Sequence, residues 1–115
     1  QHSLLLLLEL WRDGVFALET IVEKACHAPA TLFGIQDRGF LREGHWADLV
    51  LVDPDTQTNV TPKTLQSKCG WSPFDGQRFR SSITATLVSG QVVYRDGQVL
   101  DHVRGQRIVF DKERR

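Results

Sequence analysis

The sequence has no methionine, two cysteines, no excess of either charge and no apolar run longer than five residues. Each shortage removes a class of protein. Lysine plus arginine equals aspartate plus glutamate, 14 against 14, so no net field gathers phosphate backbones or anionic headgroups, and neither nucleic acid nor a membrane is an expected partner. The run Leu4 to Leu8 is far too short to span a bilayer. It also lacks a preceding basic residue, and Glu9, Trp11 and Arg12 follow at once, which speaks against a secretory leader. Cys26 and Cys69 show no C-x-x-C spacing, and buried, reduced thiols in a cytoplasmic protein are expected of them. With no methionine and Gln1 at its start, the chain is expected to lack an upstream part.

Motifs of catalysis are scarce as well. His2, His27, His45 and His102 form no H-x-H or H-E-x-x-H pattern and no i, i+4 pair, so surface or locally satisfied histidines are expected rather than metal ligands. His45 and Asp48 stand three apart in an extended segment and point to opposite faces. Ser72, Ser81, Ser82 and Ser89 lack the G-x-S-x-G elbow. Cys69 lies beside Gly70 and Trp71 without an evident base, which favours a structural thiol. No glycine-rich phosphate or dinucleotide loop occurs. Arg78-Phe79-Arg80 is too small a basic patch for a nucleic-acid platform. The expected catalytic, substrate-binding and metal-ligating residues of this chain are therefore none.

What is present is an ordinary globular composition, 41% hydrophobic and 24% charged, on a chain that would bury roughly two thirds of its unfolded surface as one domain. Residues 3–12 read as a helix, ended by Asp13-Gly14. Its leucines cover every side, and a helix apolar all round has to be buried all round. A chain this small has few ways to surround its own first helix, so a missing neighbour is expected to cover part of it. A second helix is expected from Leu18 to about Cys26, with Leu18, Ile21, Val22 and Ala25 on one face. Pro29 can open a short third helix, and Gly34 suits a left-handed C-terminal cap.

After Gly34 the period becomes strand-like. Residues 47–53 form a compact apolar run closed by Asp53-Pro54. Ile83–Val88 and Val92–Tyr94 flank Ser89-Gly90 as a two-residue hairpin turn, and Asp96-Gly97 turns the chain again before Val99. A last strand is expected over Ile108–Phe110, and Thr61-Pro62 opens a short helix through Lys68. The boundary between helical and β-rich parts falls between Gly34 and Gly44, where Gly44 suits a tight bend. Between these elements, Cys69-Gly70-Trp71-Ser72-Pro73-Phe74-Asp75-Gly76 reads as a rigid loop whose two rings dock onto an apolar surface.

These residues carry a resemblance. Residues 27–35 (HAPATLFGI) and 39–53 (GFLREGHWADLVLVD), followed by 86–97 (TLVSGQVVYRDG), look like the end of the amidohydrolase superfamily. Lys68 to Gly76 and Val103-Arg104-Gly105-Gln106-Arg107 are similar to one group of bacterial dihydroorotases, with allantoinases and dihydropyrimidinases carrying related loops. The resemblance implies an α/β fold in which residues 1–38 are carboxy-terminal helices of a TIM-type barrel and 39–115 belong to a small β-rich sandwich domain, incomplete in this chain. It implies reversible closure of N-carbamoyl-L-aspartate to dihydroorotate in pyrimidine synthesis by a cytoplasmic enzyme. In that chemistry zinc activates a hydroxide and polarises the amide carbonyl, while an aspartate moves the proton.

The metal ligands and the aspartate would lie upstream in the family, and no matching position occurs here. Gln1 and His2 would fall just beyond a substrate-contacting loop and are not carried over. The resemblance thus implies zinc in the whole protein and none on these residues. Its implied partners are the upstream barrel and amino-terminal strands, with a homo-oligomer of the parent as an open possibility. The other reading of the same residues is a self-contained, non-catalytic docking module.

Overall fold

The computed structural model describes residues 1–111. Helix α1 spans Ser3–Arg12. It lays Leu5 and Leu8 on one face, and both are buried. Leu5 meets Val60 and Phe79 in a small core, against which Leu65, Phe74 and Ile83 pack. One face of the leucine helix is therefore covered by this chain itself. The rest is not: Leu6 is 38% exposed, and Leu7 lines a shallow, apolar groove of about 360 Å³ with Phe16, Ile21 and Ala25.

Helix α2 (Leu18–Val22), a π-helical turn (Glu23–His27) and helix α3 (Ala28–Leu32) follow without a break. Two separate helices were expected here, and the structure joins them. Val22, Glu23, His27 and Ala28 all keep right-handed helical angles. The widened turn stands directly before Pro29, where the missing N–H and the ring would otherwise break an α-helix. Of the four residues expected on one buried face, only Ile21 is buried, while Leu18, Val22 and Ala25 are exposed. Gly34 ends the helix as expected, with φ of +61°. Gly34 N–H donates to Thr31 O and Ile35 N–H to Ala30 O, the two bonds of a Schellman cap.

Strands β1 (Leu49–Asp53), β4 (Ser82–Val88), β5 (Gln91–Arg95) and β6 (Gln98–Val99) form one antiparallel sheet in the order β1-β4-β5-β6. Strands β2 (Thr58–Asn59) and β3 (Arg78–Phe79) form a second pair. Both expected hairpin turns are present. Ser89-Gly90 has φ of +52° and +80°, and Asp96-Gly97 has +49° and +85°, which suits two-residue loops matched to the twist of the strands.

Two expected elements shrink. The helix after Thr61-Pro62 is a single 3-10 turn, Pro62–Thr64. Gln1 explains its end: its amide donates to Thr64 O at 2.7 Å and accepts Gln66 N–H at 2.9 Å, occupying groups that a longer helix would use. The expected last strand reduces to one bridge, Ile35 to Phe110, flanked by Gln36 N–H to Val109 O and Asp111 N–H to Gly34 O. It returns to the connector after α3 instead of joining the sheet. The fold is mixed helix and sheet, with no closed barrel among the described residues.

Two polar knots fasten the parts together. At the end of α1, Glu9 accepts both the backbone N–H and Nε of Arg80, Asp13 accepts a second guanidinium N–H, and Arg12 reaches Pro54 O and Asp55. On the other side Arg38, buried at 8% exposure, pairs with Asp48 and donates to Ser89 Oγ at 3.1 Å. Ser89 N–H then bonds Asp48 at 2.7 Å, and Gln106 N–H bonds Ser89 Oγ at 3.2 Å. The Arg38 guanidinium also lies 5.2 Å from the Trp46 ring centre.

Candidate functional site

An open groove of about 860 Å³ lies between the start of α1, the 3-10 turn and one face of the four-stranded sheet. Its wall carries His2, Lys63, Asp53, Asp96 and Tyr94, with the hydroxyls of Thr84 and Thr86. Register explains the strand contributions. Thr86 faces Tyr94, and Tyr94 faces Val99, so one cross-strand row presents to one side of the sheet.

The groove holds several ionisable groups among the described residues. Asp53 accepts Asp55 N–H, Thr56 N–H and Thr56 Oγ1, and these bonds, the Thr56 hydroxyl first, hold its carboxyl below the usual range. A carboxylate so engaged is a strand cap and a poor base. Lys63 and Tyr94 have no counterpart that would make either a nucleophile.

The histidines find local partners. His27 stacks on Phe40 at 4.4 Å, His45 sets its edge to the same ring at 6.5 Å, and Arg42 lies 4.2 Å from it. The turns at Gly39 and Gly44 fold the connector back and bring these residues together, which linear spacing does not reveal. His102 is exposed. Among the described residues, no group of three or more His, Cys, Asp and Glu is placed to hold a metal ion. The zinc that the resemblance implies therefore does not fit these residues.

One juxtaposition escaped the sequence reading. Ser72 Oγ lies 3.3 Å from His2 Nδ1, across seventy positions of chain. A hydroxyl beside an imidazole invites a nucleophilic reading. Against it, Ser72 Oγ also accepts Phe74 N–H at 3.1 Å, and Phe74 and Phe79 flank the His2 ring where a third, orienting group would be needed. Ser81 is fully buried, its hydroxyl donating to Pro54 O and its carbonyl accepting the Thr58 hydroxyl.

The loop from Cys69 to Gly76 docks one ring, not two. Phe74 packs 5.8 Å from Phe79, while Trp71 remains 66% exposed. Both cysteines are free and exposed, a correction to the expected buried thiols. Their positions explain it: Cys26 falls on the outer side of the π turn, and Cys69 sits on the loop. Hydrogen bonds with the Ser67 hydroxyl and then the Trp71 backbone hold the Cys69 thiol below its usual range. Both thiols are expected to react with Ellman's reagent without denaturant, Cys69 the faster near pH 7. A titration showing neither thiol until the chain is unfolded would contradict this exposure.

Likeness to known proteins gives the family. The model of the Amidohydrolase family matches residues 9–94. The chain belongs to the amidohydrolase family. It is dihydroorotase-like within it: a dihydroorotase of Pyrococcus furiosus is 35% identical over 104 residues, covering 90% of this chain and 25% of the relative. An L-hydantoinase of Paenarthrobacter aurescens is 41% identical over 88 residues, covering 76% of this chain and 19% of the relative. Among solved structures, the L-hydantoinase (dihydropyrimidinase) of Arthrobacter aurescens superposes with a TM-score of 0.76 at 38% identity, covering 84% of this chain and 22% of that one. The chain thus spans about a quarter of the length of the amidohydrolases it matches. No helix among the described residues is long and apolar enough to cross a membrane.

Proposed function

We propose that these residues are the carboxy-terminal part of a cytoplasmic cyclic amidohydrolase, and that the whole protein interconverts N-carbamoyl-L-aspartate and dihydroorotate in pyrimidine synthesis. The carrying observation is the 35% identity to a dihydroorotase over nearly the whole of this chain. The reaction adds water across the ring amide of dihydroorotate, breaking one C–N bond and leaving a carboxylate and a ureido nitrogen, and ring closure is the reverse. The groups that activate water, and the zinc the family reading brings, are assigned to the remainder of the protein, and no step is routed through the residues described here.

The role assigned to this part is architectural. Residues 1–38 add helices to a barrel layer and 39–115 add strands to a small sandwich. The distribution of apolar surface supports this. Phe16, Leu18, Val22, Val50 and Leu51 are exposed, the outer edge of β1 is unpaired, and the radius of gyration is 15.6 Å where about 13 Å suits a compact chain of this length. An apolar, unpaired edge strand calls for cover, and the upstream barrel and strands are the proposed cover.

The 41% identity to an L-hydantoinase favours a second substrate class, hydantoins and other cyclic ureides without the ring carboxylate of dihydroorotate. Full-length protein, metal-replete, should therefore be assayed with dihydroorotate, a 5-substituted hydantoin, dihydrouracil and allantoin. Turnover of dihydroorotate at least about tenfold above the others is expected. Preference for a hydantoin would replace the dihydroorotase reading, and inactivity on all four would remove the enzyme reading. Residues 1–115 alone should bind a hydrophobic dye strongly, and dye-silent, cooperative unfolding as a monomer would instead favour the docking module.

A further inference from the structure

We propose that His2 is a pH-operated latch on the loop of residues 69–76: the neutral ring holds the loop to the core through Ser72, and protonation lets the loop go. This goes beyond the proposed activity and does not depend on it. His2 is 8% exposed, with Phe79 stacked at 6.2 Å and Phe74 edge-on at 5.7 Å. Ser72 Oγ takes the N–H of Phe74 and keeps a second lone pair, so toward His2 Nδ1 at 3.3 Å it can give or take a proton; in the latch the neutral ring receives the hydroxyl proton. That bond requires Nδ1 to be bare, so the proton of the neutral ring belongs on Nε2.

Protonation reverses the bond. Nδ1 becomes a donor to the hydroxyl, whose proton must turn away, and a charge appears between two phenyl rings. A cation on a ring recovers less than a buried charge loses. Burial holds the imidazole below its usual range. Lys63 on the 3-10 turn is a further cation on the groove wall, and Asp53 and Asp96 are its carboxylates. Asp53 is engaged by Thr56 and Asp55. On α1, Glu9 is taken by Arg80 of the segment after β3, and Arg78 of β3 bonds Asn59. On the loop itself Lys68 and Asp75 are exposed. Asp96 lines the same groove, and among the described residues no carboxylate is hydrogen-bonded to the ring.

Besides His2, the loop is held by Phe74, which packs against the Leu5, Val60 and Phe79 core. Asp75 N–H to Ser72 O is internal, Gly70 N–H to Ser67 O ties its start, and Gly76 N–H to Val60 O and Gln77 N–H to Phe74 O tie its end. Trp71 points to solvent. The folded ring therefore binds its proton less readily than the released one, and loop closure is complete above the ordinary imidazole range and weakens as pH falls through the folded value.

Hydrogen exchange of the peptide covering 69–76, measured in the full-length protein from pH 8 to 5 and corrected for intrinsic rates, tests this. The loop should lose protection by about threefold or more on acidification while the β4 peptide stays constant. His2→Phe, which keeps the ring packing, should abolish that pH dependence, and Ser72→Ala should leave the loop weakly protected at every pH. Flat protection in the unaltered protein, or an unchanged acid response in His2→Phe, overturns the latch. Should His2→Phe fail to fold, a Ser72→Ala loop protected as well as the unaltered one at pH 8 overturns it equally.

Discussion

Gly39→Ala should destabilise the protein by about 2–5 kcal/mol, the sum of a left-handed backbone that a side chain resists and a methyl group forced into filled space. Gly39 has φ of +80°, and a Cβ there would stand 2.4 Å from Ala30 Cβ and 2.8 Å from Cys26 O. The second contact is the harder one, because a backbone carbonyl in the π turn cannot step aside without unwinding it. Gly44→Ala is the control. Its φ is +82°, yet nothing lies within 4 Å, so only the conformational part remains, about 1 kcal/mol. Urea unfolding followed by far-ultraviolet circular dichroism separates them. Ala30→Gly in the Gly39→Ala background should restore a minor part, since the Cys26 carbonyl stays where it is. Equal midpoints for Gly39→Ala and Gly44→Ala would show that the connector does not press on the helix as described.

Arg38→Met should lower stability by about 2–4 kcal/mol. Methionine keeps most of the stem volume over Trp46 but strips Asp48 of its counterion and Ser89 Oγ of a donor. The estimate stays below that for a fully buried pair because the Asp48 side chain is 31% exposed. A pH arm isolates the charge. Burial raises the Asp48 pKa, but Ser89 N–H and the Arg38 guanidinium outweigh it and hold the carboxyl below its usual range. A carboxyl with a lower pKa folded than unfolded stabilises above the ordinary value of about 4, and the contribution is lost as pH falls through the folded value. The gap between unaltered protein and Arg38→Met should therefore narrow below pH 4. A gap that holds constant between pH 7 and 3 would assign the loss to packing alone.

These two residues also show what the sequence discloses and what it hides. The helix stop at Gly34 and the turns at Ser89-Gly90 and Asp96-Gly97 were legible because glycine and its neighbours dictate backbone angles locally. The join of α2 to α3 through Pro29 was not, since a π turn absorbs the proline without a residue signature of its own. The 3-10 turn stops early because of Gln1, sixty-three positions away, and no local propensity carries that. Arg38 looked like one basic residue in a connector. Its importance lies in gathering Asp48, Ser89 and Gln106 from three later segments. For the candidate site, spacing showed four scattered histidines, whereas the tertiary fold carries two of them to Phe40 and a third to Ser72.

The Glu9–Arg80 and Arg38–Asp48 knots grip the β-rich part at two separated places. A plate pinned once can swivel, whereas one pinned twice can only rock about the line through both pins. Leu5 in the core and Gln1 on the 3-10 turn add further points of attachment, so a displacement of α1 is passed on to the β-rich part.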